Sequence, residues 1–328
     1  MSASDRLKVS RRAVITGIAT QSLFSTAGLF ESAFAAAPML GVKRPHVYRF
    51  KLGAFEVTNI LDGIVVRAGP HPIFGENLPE DAVRDFARTH HLPVTRFENP
   101  YTVTLVNTEK NLILFDTGNG DRRRDQKGGQ LRNRLAETGY TPEQIDIAVI
   151  THGHPDHIGG LMENGQPSFP NARYFFGEAE FDYWKAGKNI PERRVKNREL
   201  FIRYVVPFAE KATFLKPGQD VVSGVQAVDA FGHSPGMLAF HIESEGIRLF
   251  LWTDVTNHYV MSPMKPEWHV LFDHDKKKAV ATRKRIIGEV AAERIPAVGY
   301  HMPFPAVGFV ERAGEPFCWV PASYQLNL

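Results

Sequence analysis

The chain has 328 residues, 43% of them hydrophobic and 23% charged, with a formal net charge of +3. That is enough apolar material for a well-buried core. Residues 1–35 hold four bases (Arg6, Lys8, Arg11, Arg12) and two acids (Asp5, Glu31). The remainder is therefore close to neutral, about +1, and gives no argument for a nucleic-acid partner. The single cysteine, Cys318, excludes an internal disulfide.

In chain order, the first 35 residues read as an address rather than as structure. Ser10-Arg11-Arg12-Ala13-Val14-Ile15 has the pattern of a twin-arginine export signal, with Val14 where Phe is usual. A broken apolar stretch over 13–30 and the small-x-small site Ala33-Phe34-Ala35 complete it. The expectation is a signal over 1–35, then one domain over 36–328, periplasmic or secreted. No later stretch is long and apolar enough to span a bilayer, so no stable membrane anchor is expected after cleavage.

Residues 48–52 and 55–61 read as two strands joined at Gly53, with Asp62-Gly63 as the next turn. Residues 67–98 begin with turn formers (Gly69, Pro70, Pro72, Gly75) and contain a helical pattern near 79–89. So long an excursion suggests a lid or binding loop. Strands follow at 101–106 and 112–115, ending at Asp116-Thr117-Gly118. A helical stretch at 131–137 stops at Gly139, a left-handed cap. Thr141-Pro142-Glu143-Gln144 is a capping box that starts another turn. The apolar run 147–151 is a buried strand. Further strands are read at 173–176, 225–229, 238–242 and 247–252. Helical stretches are read at 177–185, 199–209 and 275–293. A closing strand pair covers 306–311 and 317–320. Mixed strands and helices with chemistry at strand ends predict stacked sheets covered by helices. No internal repeat is present.

The strand 147–151 delivers the chain to Thr151-His152-Gly153-His154-Pro155-Asp156-His157. Four ligand-type side chains fall within six residues. Imidazole and carboxylate suit zinc and similar divalent ions. Side chains two apart in an extended segment share a side, so His152 and His154 can converge on one ion. Asp156 and His157, past Pro155, can face a second. Two distant histidines also follow strands: His233 in Gly232-His233-Ser234-Pro235-Gly236, and His301 in Tyr300-His301-Met302-Pro303. Asp254 ends the apolar run 249–253, where a carboxylate is costly unless it pairs or binds metal.

These residues, in this order, resemble the metallo-β-lactamase superfamily over nearly the whole chain after the signal. The resemblance implies an α/β (α+β) four-layer αββα sandwich with two divalent ions, most simply zinc, at one edge of the sheets. It places one ion on His152, His154 and His233 and the other on Asp156, His157 and His301, with Asp254 bridging them. Asp116 would orient the metal loop. Asp254 and Asp156 would be the carboxylates of the chemistry, in which a metal-bridging hydroxide attacks a carbonyl carbon or phosphorus. His154 stands where di-iron flavoprotein relatives carry an acid, which favours hydrolysis over redox chemistry. No Cys sits near Asp254, which argues against the antibiotic-hydrolysing branch.

Stretches 52–58, 151–162, 180–184 and 301–305 are most similar to methyl parathion hydrolases and related secreted lactone and aryl-ester hydrolases. That implies cleavage of lactones, aryl esters or phosphotriesters. The alternatives are an N-acyl homoserine lactonase, a glyoxalase II-like thioesterase, a β-lactamase, or a non-catalytic metal-binding periplasmic protein. Lactonases often carry Tyr three residues after the bridging Asp. Here that residue is Asn257, with Tyr259 close by as an oxyanion-stabilising candidate. Phe74, Trp184, Trp268 and Phe272 are candidate pocket walls, which favours a small apolar or aromatic ester-like substrate. A homodimer is compatible with the sequence.

Overall fold

The computed structural model describes residues 37–312, 314, 316–322, 326 and 327. The expected export signal at 1–35 lies outside the described residues. Residues 37–43 are exposed and carry no regular structure. Arg44–Leu328 is a separate compact unit.

Its first half forms a seven-stranded sheet. Antiparallel β1 (Val47–Leu52), β2 (Phe55–Ala68), β3 (Arg96–Asn107) and β4 (Leu112–Phe115) come first. Parallel β5 (Ile147–Ile150), β8 (Arg173–Gly177) and β9 (Thr213–Leu215) extend the sheet from β4. A small hairpin, β6 (Met162–Glu163) with β7 (Gln166–Pro167), lies between β5 and β8. The second half forms another seven-stranded sheet. Its strands are β10 (Asp220–Val222), β11 (Val225–Asp229), β12 (Leu238–Ser244), β13 (Ile247–Thr253), β14 (Ala297–Gly299), β15 (Val307–Arg312) and β16 (Phe317–Pro321), with only β13 and β14 parallel.

Parallel neighbours need a crossover, and most of the helices sit in those crossovers. α1 (Glu80–Thr89) precedes β3. α2 (Leu131–Leu135) joins β4 to β5, and the one-turn α3 (Pro155–Ile158) follows β5. α4 (Glu178–Ala186) and α5 (Val195–Tyr204) join β8 to β9. α6 (Met261–Met264) and α7 (Lys276–Glu293) join β13 to β14, and α7 is capped by the Asp275 side chain.

The apolar runs read as strands are buried on both faces, which is why they lack polar alternation. Ile113, Phe115, Ile147 and Val149 point between the sheets and meet Phe240, Ile242, Leu249 and Leu251 of the second sheet. Leu112 and Leu114 point the other way, onto α2. Ala148 and Ile150 meet Trp184 of α4 and Phe201 of α5. Phe250 and Trp252 meet Ile286, Ile287 and Val290 of α7. The order is helices, sheet, sheet, helices, as the four-layer expectation requires.

Some local expectations fail for identifiable reasons. Asp62-Gly63 is not a turn. β2 runs through it with a register shift between Leu61 and Gly63, and a Cβ on Gly63 would lie 2.4 Å from Gly128 Cα. The dipeptide marks a bulge pressed against a loop rather than a reversal. β3 starts at Arg96, not 101, because it pairs with the far end of the long β2. α5 starts at Val195, four residues before the expected stretch, after the turn at Pro191.

Gly120 is required twice over. Its φ is +63°, and a Cβ there would stand 2.1 Å from the Gly159 carbonyl oxygen, in the loop after His157. Gly120→Ala is expected to cost at least about 2 kcal/mol of stability, read from urea unfolding. An unchanged midpoint would contradict this close contact.

Candidate metal centre

The chemistry-bearing loops cluster at the C-terminal ends of parallel strands, where open α/β sheets commonly place ligands. Asp116 follows β4, Thr151–His157 follow β5, Glu180 follows β8, Asp254 follows β13, and Tyr300 and His301 follow β14. His233 comes from the β11–β12 loop. Two groups of ligand atoms result, each confined within 4.8 Å: His152, His154, His233 and Asp254, and Asp156, His157 and His301.

The two groups meet at Asp254. Its Oδ2 lies 3.2 Å from His233 Nε2, 3.1 Å from His301 Nε2 and 3.9 Å from His152 Nε2. Its Oδ1 lies 3.3 Å from His157 Nε2. Neither His157 Nε2 nor Asp254 Oδ1, both buried, has a hydrogen-bond partner. Asp156 Oδ2 is 3.5 Å from His301 Nε2 and 3.8 Å from His157 Nε2. His154 Nδ1 stands 3.0 Å from His152 Nε2 and 2.9 Å from His233 Nε2. Donor atoms around one tetrahedral zinc lie roughly 3.3 Å apart. The spacing, the donor types and the two orphaned atoms fit a pair of divalent ions. Among the described residues, Asp254 is the carboxylate that reaches histidines of both groups.

Each ligand imidazole has its far nitrogen held, which fixes the tautomer that leaves the near nitrogen bare. His157 Nδ1 donates to Asp116 Oδ2 at 2.8 Å, and His233 Nδ1 donates to Asp273 Oδ1 at 2.9 Å. His301 Nδ1 donates to the Pro100 carbonyl at 2.8 Å. Thr151 Oγ1 donates to Asp116, so it accepts from His152 Nδ1 at 3.1 Å. His154 Nε2 lies 3.2 Å from His274 Nε2.

Three of the holding groups were not foreseen. Asp273 is fully buried and paired with Arg283 of α7 at 2.8 Å. Glu180 accepts from Gly153 N, Trp184 Nε1, Ser234 Oγ and Gly236 N, tying the metal loop to the His233 loop. His274 closes the first group. The run Phe272-Asp273-His274-Asp275, just before a helix, was the only local hint.

Backbone strain aims two of the carboxylates. Asp116 has φ +65°, and Thr253, immediately before Asp254, has φ +51°. A β-branched residue in this region is a genuine outlier. It breaks the two-residue alternation of β13, so Asp254 turns to the histidines instead of following Trp252 into the α7 core.

Electrostatics divide the histidines. Burial, reinforced by charge on His157, pushes His152 well below its ordinary range. Burial, reinforced by Arg194, does the same to His154. Burial opposes charge on His157, but Asp254, Asp116 and Asp156 together outweigh it and raise that group well above its usual range. His233 is raised in the same sense by Asp254 and Asp273. For Asp254, burial is outweighed by His301 and His157, and the carboxylate stays ionised.

Two cavities adjoin this centre. One, of about 150 Å³, contains the ligands His154, Asp156, His233, Asp254 and His301 under a rim that includes Arg67, Arg123 and Arg194. The other, of about 380 Å³, opens beside His301 and Asn257 and is walled by Ile64, Leu92, Phe97, Tyr259 and Phe304. Of the four expected aromatic walls, Phe272 lines the smaller cavity. Phe74, Trp184 and Trp268 line neither and are packed into cores. Strands and helices bury most aromatics in this way. Tyr259 stacks on His258 in the larger cavity.

Zinc uptake by the metal-free protein is expected to release protons at neutral pH. The ion binds neutral imidazole, whereas the carboxylates around His157 and His233 favour their protonated forms in its absence. Affinity should therefore rise with pH until these groups have emptied. Titration calorimetry in buffers of different ionisation enthalpy checks this, and a buffer-independent heat would contradict it. Asp273→Asn, which frees His233, is expected to weaken binding by about 10–100-fold.

Residues 96–297 match the family model described as the metallo-beta-lactamase superfamily. An N-acyl homoserine lactonase from Bacillus cereus is 27% identical over 172 residues, 47% of this chain and 62% of the relative. One from Bacillus thuringiensis is 26% identical over 164 residues, 44% of this chain and 59% of the relative. The chain thus spans less than two thirds of the length of these curated relatives. These relatives are named as lactonases, not as methyl parathion hydrolases. Among solved structures, AidC, a dizinc quorum-quenching lactonase in complex with the product N-hexanoyl-L-homoserine, superimposes with a TM-score of 0.79. It is 26% identical and covers 85% of this chain and 98% of its own. The hydrolase AbOPH, in the beta lactamase superfamily, follows at TM-score 0.77, 25% identity and the same coverage. By fold, by ligand order and by family match, this chain belongs to the metallo-beta-lactamase superfamily.

Proposed function

We propose that this chain is a two-metal hydrolase of lactones and carboxylic esters that carry an apolar chain. The observation that carries the reading is the juxtaposition of a complete two-ion ligand set with an apolar cavity of about 380 Å³ sharing His301. The lactonase relatives support it. The phosphotriester branch of the sequence resemblance has less support, since the curated relatives named above and AidC carry lactonase names.

Divalent ions bound here, zinc in our reading, would supply Lewis acidity and a water acidic enough to attack near neutral pH. The first ion would be held by His152, His154 and His233, the second by Asp156, His157 and His301. Asp254 would touch both. The protein's own part is positional. Leu92, Phe97 and Phe304 exclude water and take the chain of the substrate. Asp254, additionally gripped by Asn257 Nδ2 at 3.2 Å, keeps its charge between the two groups. A carboxylate so strongly stabilised is a poor proton acceptor. Asp156, whose side chain is 23% exposed, would give a carboxylate oxygen to the second ion on the solvent side of the centre, so the proton for the leaving alcohol would come from solvent. Tyr259 and Asn257 line the larger cavity and are the side-chain donors we propose for a developing oxyanion. We also propose export through the twin-arginine pattern at 10–15, on sequence grounds.

A panel of N-acyl homoserine lactones, 4-nitrophenyl esters and a methyl phosphotriester tests the reading on zinc-loaded protein. Lactones should be cut best. Lengthening the acyl chain from two to six carbons should raise kcat/KM by up to about 200-fold, as buried CH₂ groups are worth ~0.8 kcal/mol each. Asp254→Ala should lose at least about 10³-fold in kcat. Preference for the phosphotriester would favour the parathion-type branch, and no turnover of any member would refute the proposal.

A further inference from the structure

Resting on that reading, we infer that the substrate carries an anionic group beside the scissile bond, held by Arg67 and Arg194 at the mouth of the metal centre.

The two guanidiniums reach one cavity from distant parts of the chain. Arg67 comes from the end of β2 and Arg194 from the turn before α5. Phe272, just before α7, positions both. The Arg67 guanidinium lies 5.5 Å over its ring, and Arg194 Nη2 donates to its carbonyl. Arg67 Nη2 also donates to Tyr101 Oη at 3.0 Å. Arg194 is 9% exposed. The Nε atoms of both arginines are buried without a hydrogen-bond partner. Among the described residues, no carboxylate lies within ion-pair distance of either.

A buried cation with neither a counter-ion nor a full set of acceptors is costly. It is tolerated where a ligand completes it. Among the described residues, the carboxylates lining this cavity are Asp156 and Asp254, which the ions would occupy. Two divalent ions would more than use up the charge of these two carboxylates, leaving none for the guanidiniums. Planar forks of this kind recognise oxyanions, often bidentately. A neutral ester uses none of this. An ester or lactone bearing a carboxylate on its acyl or alcohol part uses all of it, while its apolar portion takes the larger cavity. Arg123, on the same rim and bonded to Gln126 at 2.5 Å, adds charge from the exposed side.

The test uses the full zinc-loaded chain and two matched pairs. Succinate and butyrate are compared as ligands by calorimetry. Mono-4-nitrophenyl succinate and 4-nitrophenyl butyrate are compared as substrates. Succinate should bind at least about ten-fold tighter than butyrate, since both can offer one carboxylate to the ions but only succinate offers a second. Arg67→Gln and Arg194→Gln should each cut that preference, and the anionic-to-neutral ratio of kcat/KM, by about ten-fold, with Arg67→Lys retaining part of it. If Arg194→Gln does not fold, the half-buried Arg67 decides the matter. Equal binding of succinate and butyrate by the wild type, or a preference unchanged in the variants, would overturn the anion site. Succinate preference without turnover of either ester would refute the hydrolase reading and leave the anion site standing.

Discussion

One carboxylate, Asp254, stands within 4 Å of four imidazoles in a site that solvent barely reaches. Placing so many basic nitrogens around one anion, out of water, is unfavourable unless each nitrogen has a defined partner. Much of the surrounding structure follows from that constraint. Asp116, Asp273, the Pro100 carbonyl and Thr151 each take one far nitrogen, and Arg283 in turn neutralises Asp273. Glu180 binds no imidazole but fixes the backbone of two ligand loops at once.

The architecture serves the same end. Parallel strands leave their carboxyl ends on one side, so β4, β5, β8, β13 and β14 can each deliver one part of the centre. The antiparallel strands broaden the two sheets and stiffen them. Where the strand geometry aims a side chain wrongly, the backbone departs from it. Thr253 accepts a left-handed conformation, at a cost of about 1–3 kcal/mol, and Asp254 thereby reaches the histidines.

The seven candidate ligands were legible in the sequence because four are dense at one strand end and the other three follow strands or apolar runs. Stacked sheets covered by helices were legible from the mixture of strands and helices, and the four-layer order from the family resemblance. What holds the ligands was not. Glu180 looks like an acid in the first turn of a helix, and Asp273 sits among other polar residues. Their meaning comes from contacts across 27 to 56 residues for Glu180 and 40 for Asp273. Asp62-Gly63 misleads for the opposite reason, since a strong local turn signal is overridden by pairing along a long strand. The aromatic residues were over-read. Apolar bulk near a site says little about which face it presents, and three of the four lie in cores.

The polar rim redirects attention from apolar walls to charge. An apolar cavity on one side of His301 and two incompletely bonded guanidiniums on the other describe an amphiphilic ligand. Everything downstream depends on two ions sharing Asp254. Anomalous diffraction at the zinc edge, from crystals of the zinc-loaded protein, measures this most directly. Two peaks per chain are expected, one among His152, His154 and His233 and one among Asp156, His157 and His301, with Asp254 against both. A single peak, or a pair that Asp254 does not join, would contradict the shared site.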